Sequence, residues 1–186
     1  KLWLIAGSDE LRPAMALACF IDGYVYVTDA HLAIKQSLTR FHKLDEEQAM
    51  NLNGKFIHKD VLKELDKFQT ISYETDCITA KKEIAGNIMT VKFNYTECDN
   101  YPNVGNVIDA AMNREKGTDV VNQISFNPKL MNRLYDAMNP KFNEFSINGI
   151  IIEFVAAGRA IGVTLNSSDF NRNENFGIIM PCMIND

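Results

Sequence analysis

Three histidines, His31, His42 and His58, are the first candidates for acid–base chemistry. Asp29 and His31 are two residues apart, which on a strand puts both side chains on one face, the placement an Asp-His pair needs. No serine or cysteine nucleophile sits in a recognisable elbow beside them. The chain contains no Walker loop, no G-x-G-x-x-G and no H-E-x-x-H. An enzyme built on Asp29 and His31 would lack a third polar partner, so His31 reads as a turn or pocket residue. Asp45-Glu46-Glu47 reads as a solvated acidic loop rather than a metal site. The four cysteines, Cys19, Cys77, Cys98 and Cys182, form no C-x-x-C pair and have no histidine at ligand spacing. They read as reduced and mostly buried. Asn94-Tyr95-Thr96 and Asn166-Ser167-Ser168 match glycosylation acceptors, but no secretory signal accompanies them. No catalytic residue, metal or cofactor is expected, and the expected compartment is the cytoplasm.

A different chemistry is suggested by the spacing of cations. Lys59, Lys63 and Lys67 recur at i, i+4 and i+8, opposite an apolar helix face, and Lys129 and Arg133 do the same further on. Two such stripes facing one way would follow a phosphate backbone without reading bases. Asp60, Glu64, Asp66 and Asp136 dilute them, and residues 59–67 carry as many acids as bases. From the residues alone, ordinary solvated helix faces are the favoured reading.

The elements that must carry these residues follow from periodicity. The chain has 186 residues, 46% hydrophobic and 23% charged, with net charge -5. That is globular composition with material for one large domain or two small ones. It excludes a generally basic nucleic-acid binder, while a local basic surface stays open. The longest nearly charge-free apolar stretch, residues 14–21, is too short to span a bilayer. Strands are predicted at residues 15–20, 24–28 and 32–38, with Asp22-Gly23 as a two-residue hairpin turn. Residues 39–54 are predicted as a loop, with at most one helical turn. A short strand at 56–57 leads into a helix over 58–68, whose apolar stripe is Val61, Leu62, Leu65 and Phe68. Strands follow at 71–74, 77–81 and 88–95, with Gly86-Asn87 as a turn.

The unit recurs 69 residues along. Phe126-Asn127 aligns with Ile57-His58, and Leu130, Met131 and Leu134 align with Val61, Leu62 and Leu65. Asn127-Pro128 supplies a cap and a proline at the first helical position. Strands are predicted at 144–147, 150–155, 159–165 and 176–183, with Asn148-Gly149 as a hairpin turn. The fold class is α+β, with two helices on one face of antiparallel sheet.

Several of these segments resemble one family. Residues 24–33, Tyr-Val-Tyr-Val-Thr-Asp-Ala-His-Leu-Ala, are similar to the "ATDGHRL" strand-corner of the bacterial DNA polymerase III beta subunit, the sliding clamp. Residues 56–68 resemble the strand-helix that follows it there. Residues 101–108 resemble the "FPDYRRVLP" segment that closes the clamp's middle domain. Residues 126–130 resemble the "FNPKYL" start of its last helix, and residues 178–183 the "vvMPmrl" tail. The five motifs occur in the family's order. The resemblance implies repeated half-domains, helices lining a central hole and sheets outside. It reverses the reading of the cationic stripes: Lys59, Lys63, Lys67, Lys129 and Arg133 would face duplex DNA, held without sequence preference. It also implies a peptide-binding groove for polymerase or clamp-loader motifs. Carried over position by position, the groove falls on Thr28, Ala30, His31 and Leu32, on Pro102, Asn106 and Val107, and on Ile178, Met180 and Pro181.

The chain departs from the family at informative places. The family's corner glycine is Ala30, the arginine two places on is Leu32, and Arg-Arg in the closing segment is Gly105-Asn106. The family has three domains per subunit. Here residues 1–112 resemble the middle domain without its first helix, 113–122 read as a linker, and 123–186 resemble the second half of the last domain. Two readings follow: a clamp that oligomerises into a ring, and a clamp-fold interaction module that binds replication peptides without one.

Overall fold

The computed structural model describes residues 1–113, 123–139, 147–154, 159–169 and 171–182. After a 3-10 turn at Leu2–Leu4 and another at Pro13–Ala16, strands β1 (Leu17–Ile21), β2 (Tyr24–Thr28) and β3 (Leu32–Ser37) form a meander. The β1–β2 turn is the expected one, with Asp22 at φ 50° and Gly23 at φ 79°. Helix α1 (Glu46–Leu52) occupies the segment expected to be mostly loop. Its signal is Asp45-x-x-Gln48: the Asp45 carboxylate accepts the Gln48 N–H at 2.8 Å and so caps the first turn. Strand β4 (Phe56–His58) and helix α2 (Lys59–Leu65) follow, then strands β5 (Thr70–Tyr73), β6 (Cys77–Ile84) and β7 (Asn87–Asn94). The β6–β7 turn is Ala85-Gly86, one residue earlier than predicted, since those two residues hold the positive φ values.

Helix α3 (Val104–Met112), helix α4 (Pro128–Met138) and strands β8 (Ile147–Glu153), β9 (Ile161–Ser167) and β10 (Asn175–Ile179) complete the described chain. Helix α3 lies in and beyond the closing segment, for which no helix was predicted. Val104, Ile108 and Ala111 are its buried stripe, and Asn103 caps it. Asn148-Gly149 is not a hairpin turn. It lies inside β8 as a register irregularity against β9, with Gly149 at φ 141°. Turn and bulge make the same demand for a residue tolerant of positive φ. Residues 114–122 of the linker predicted at 113–122, and residues 144–146 of a predicted strand, lie outside the described residues.

Two antiparallel sheets result. The larger runs β4-β1-β2-β3-β10-β9-β8, and the smaller β5-β6-β7. The larger sheet is joined across its middle by β3 and β10, which pair from Gln36↔Asn175 to Leu32↔Ile179. Side-chain alternation gives it two buried faces. Leu32, Ile34, Val163 and Ile179 face the main core with Leu65, Leu134 and Met138, while Ala33, Phe176 and Ile178 face Val104, Ile108 and Ala111 of α3. Helices α2 and α4 share the main-core side and both pack on the Leu2–Leu4 turn. Helix α3, absent from the sequence reading, covers the opposite side.

A buried polar cluster closes the carboxyl end of α4, where helix carbonyls need partners from outside the helix. Gln36 Nε2 donates to the Ala137 carbonyl and to Asn175 Oδ1, both at 3.1 Å. Asn175 Nδ2 donates to the Met138 carbonyl at 3.0 Å. Gln36 Oε1 faces His42 Nε2 at 2.9 Å. Both amide N–H groups of Gln36 are spent, so His42 donates. Burial holds the His42 pKa down at about 3. Helix α4 also lies close on β10: a Cβ at Gly177 would stand 2.7 Å from Leu134 Cδ1.

Candidate peptide groove and cationic helix face

The 28–32 corner is held by its own short polar side chains. Thr28 Oγ1 donates to the Leu32 carbonyl at 2.7 Å and accepts the Ala30 N–H at 3.1 Å. Asp29 Oδ1 accepts the N–H groups of His31 and Leu32 at 2.9 and 2.7 Å. Its other oxygen accepts Arg133 Nη2 at 2.9 Å. Both Asp29 oxygens are thus committed to the corner and to α4, and the Asp29-His31 pair of the enzyme reading does not form. Ala30 sits at φ 73°. A side chain there costs about 1–2 kcal/mol relative to glycine. Ala30→Gly is expected to raise stability by up to about 1 kcal/mol, after the glycine's extra unfolded-state freedom is counted. Thermal unfolding checks this, and a fall in Tm would contradict a left-handed corner.

The other two walls are fastened to this corner. Met180 N–H donates to the His31 carbonyl at 2.9 Å, which brings in the segment after β10. The Tyr101 hydroxyl lies 3.2 Å from the Leu17 carbonyl and 3.1 Å from that of Tyr26. Burial pushes its pKa well up, so it stays a neutral donor. Lys35 Nζ pairs with Asp109 at 3.1 Å and ties α3 to β3.

A cavity of about 220 Å3 lies between the three walls. Eight of the ten expected groove residues line it: Thr28, Ala30, His31, Leu32, Pro102, Val107, Ile178 and Met180. Asn106 and Pro181 do not. The Asn106 N–H is in the first turn of α3, 3.1 Å from the Asn103 cap, and Pro181 lies past the wall. Met15, Ala33, Asn103 and Val104 line the cavity and were missed. Val104 belongs to the apolar stripe of α3, a spacing that could have revealed it. The groove's only ionisable lining residue among those described is His31. Val107 and Met180 are 51% and 38% exposed, so apolar surface is open to a ligand.

The cationic residues are less uniform than their spacing. Lys63 and Lys129 are exposed, with Lys63 Nζ 5.5 Å from the Trp3 ring centroid. Lys67 lies past the end of α2 and pairs with Glu64 at 2.6 Å. Lys59 Nζ donates to the Gly7 carbonyl at 3.0 Å and to the Ser8 hydroxyl. Arg133 donates to the Leu4 carbonyl from Nε and Nη2 at 3.0 and 2.7 Å, besides its Asp29 pair. Arg133 and Lys59 therefore spend donors on the chain itself.

The remaining chemical candidates have structural placements. His58 caps α2, its Nδ1 accepting the Asp60 N–H, and Asp45 caps α1. None of the four cysteines is disulfide-bonded, and only Cys19 is buried, fewer than expected. Among the described residues, no three His, Cys, Asp or Glu side chains are grouped to hold a metal, and no helix is long and apolar enough to cross a membrane.

No protein-family model matches the sequence, and no curated protein does. Solved structures do. The DNA polymerase III beta chain of Streptococcus pneumoniae superposes with a TM-score of 0.59 at 17% identity, over 97% of this chain and 60% of that one. The DNA polymerase sliding clamp of Bacillus subtilis gives a TM-score of 0.53 at 11% identity, over 98% of this chain and 60% of that one. This chain has the fold of the bacterial DNA polymerase III beta sliding clamps and spans 60% of the length of each of these two.

Proposed function

We propose that the chain is a clamp-type accessory protein of DNA replication, a binding protein that contacts duplex DNA without sequence preference and tethers polymerase or other factors by short peptide segments. The observation that carries this reading is the convergence of the corner, the segment before α3 and the tail on one apolar cavity. Such a groove suits the aliphatic and aromatic anchors of an extended peptide. The fold neighbours, a polymerase III beta chain and a sliding clamp, supply the replication context. DNA would lie against α2 and α4, with Lys63 and Lys129 as the cations most available to phosphate, Lys67 held by Glu64, and Lys59 and Arg133 at the base of the same face. Copies would associate through the open sheet edges at β7 and β8.

The DNA contact is tested with Lys63→Glu combined with Lys129→Glu. Neither side chain makes a hydrogen bond or ion pair among the described residues, so the fold is expected to survive. Binding to a fluorescent duplex, read by anisotropy over a salt series, is expected to weaken, with the salt slope flattening by about two. An unchanged slope would remove the helix face from the DNA contact.

A second reading, a clamp-fold interaction module without a ring, is favoured by the charge balance of that face, where Glu64 neutralises Lys67. Light scattering on a sizing column separates the two: a closed oligomer supports the ring, and a concentration-independent monomer supports the module.

A further inference from the structure

Next to the peptide groove lies a larger open channel of about 800 Å3, lined by residues 8–17, 96–100 and Pro102 with His58 and Lys59 at the start of α2. Met15 and Pro102 line both spaces, so the two adjoin at these residues. Its floor is apolar: Pro13, Ala14, Met15 and Leu17 line it, and Leu11 at its rim is 91% exposed. Its rim is acidic, with Asp9, Glu10, Glu97 and Asp99 against Arg12 and Lys59. Both cations are engaged locally, Arg12 with Asp9 at 2.8 Å and Lys59 with Gly7 and Ser8. Glu10, Glu97 and Asp99 have no cation partner among the described residues. The groove's lining holds no lysine or arginine for an acidic ligand, and the corner and helix positions that flank it are Ala30, Leu32 and Asn106.

We infer that the channel is the second half of the peptide site and selects partner segments in which lysines or arginines stand next to the apolar anchors. This rests on the peptide-groove reading above. Charge complementarity names the occupant. An extended chain seated by its anchors between Thr28 and Met180 crosses Met15 and Pro102, and its next residues lie between the rim carboxylates. Cations there gain from three carboxylates at once, and acidic residues are repelled. The apolar floor takes the stems of the long cationic side chains while the charged ends reach the rim.

The experiment uses fluorescein-labelled peptides with the anchor Leu-Ser-Leu-Phe flanked by a Lys-Gly repeat, by a Glu-Gly repeat, or by neutral Ser-Gly, and a Lys-Gly peptide without the anchor. At about 50 mM salt the cationic anchored peptide is expected to bind roughly tenfold tighter than the neutral one and the acidic one weaker still. The order is expected to collapse in a Glu10→Gln, Glu97→Gln, Asp99→Asn variant and at about 500 mM salt, where exposed charges are screened. These isosteric changes are at exposed positions and leave the fold intact. Equal affinity of the cationic and acidic peptides, or a preference that survives the triple variant, overturns the acidic half-site and leaves the groove standing. Equal binding of the anchorless cationic peptide also overturns it, since the channel would then act by charge alone. Failure of every anchored peptide to bind, or binding unaffected by Met180→Asp, overturns the groove reading instead.

Discussion

Replacing Gln36 with leucine is expected to cost about 4 kcal/mol, the sum of a few unmet polar groups at about 1–3 kcal/mol each. The side chain is fully buried and serves three partners at once: the Ala137 carbonyl, Asn175 Oδ1 and His42 Nε2. Leucine fills the volume and satisfies none of them. Tm is expected to drop by roughly 8–16 °C in a chain of this size. The conservative Gln36→Glu is a useful second variant, because it retains an acceptor for His42 and buries a charge. A Gln36→Leu protein as stable as the parent would mean that the carboxyl end of α4 is closed by something else. The same cluster sets an acid limit. With His42 held at about 3, below its ordinary value near 6.5, the unfolded chain takes up a proton that the folded ring refuses. Stability is therefore complete above about pH 6.5 and falls as pH drops toward 3, by up to about 1.4 kcal/mol per pH unit. The loss in Tm between pH 7 and pH 5 is expected to shrink in His42→Gln, and an equal loss in both proteins would place the titration elsewhere.

Met180→Asp is expected to abolish binding of an apolar-anchored peptide, a loss of at least about a hundredfold. The substitution places a carboxylate in a cavity whose other walls are Ile178, Val107, Leu32 and Pro102. An aliphatic anchor cannot compensate that charge for the water it displaces. Met180 is 38% exposed, and its backbone N–H keeps its bond to the His31 carbonyl, so the change in folding stability is expected to stay within about 0.5 kcal/mol. Anisotropy with a labelled peptide reads the first effect and thermal unfolding the second. Full binding by this variant would disconnect the cavity from any peptide.

The sequence made the local structure legible wherever one residue type answers one physical demand. Asp22-Gly23 could only be a turn between two strand-like runs, and Asn127-Pro128 could only open a helix. The repeat was visible because α2 and α4 start from matched positions, each capped by the residue before it, His58 and Asn127. Much of the cavity's lining was legible through the resemblance, which named eight of the residues that converge there without any knowledge of the walls. What could not be read was longer in range. Asn148-Gly149 satisfies a bulge as well as a turn, and only the continuing partner β9 decides between them. Helix α3 was overlooked because its stripe is short and begins inside the segment matched to the family's closing motif, where no element was predicted. The engagement of Arg133 and Lys59 was hidden, since their partners lie 129 and 52 residues away. A helical stripe of cations shows where charge sits and not what it already holds.

The pairing of β3 with β10 has a consequence for assembly. Gln36 and Asn175 meet across 139 residues of chain, the kind of long-range closure that forms late because its loop entropy must be met first. The cavity needs both sides of that ladder, since Leu32 and Ile178 stand on opposite strands of it. A chain whose last strand has not docked therefore lacks the cavity, and any binding there would wait on completion of the sheet. Linkage makes the relation mutual: a partner peptide at a hundred times its Kd would hold the finished ladder together by about 2.7 kcal/mol.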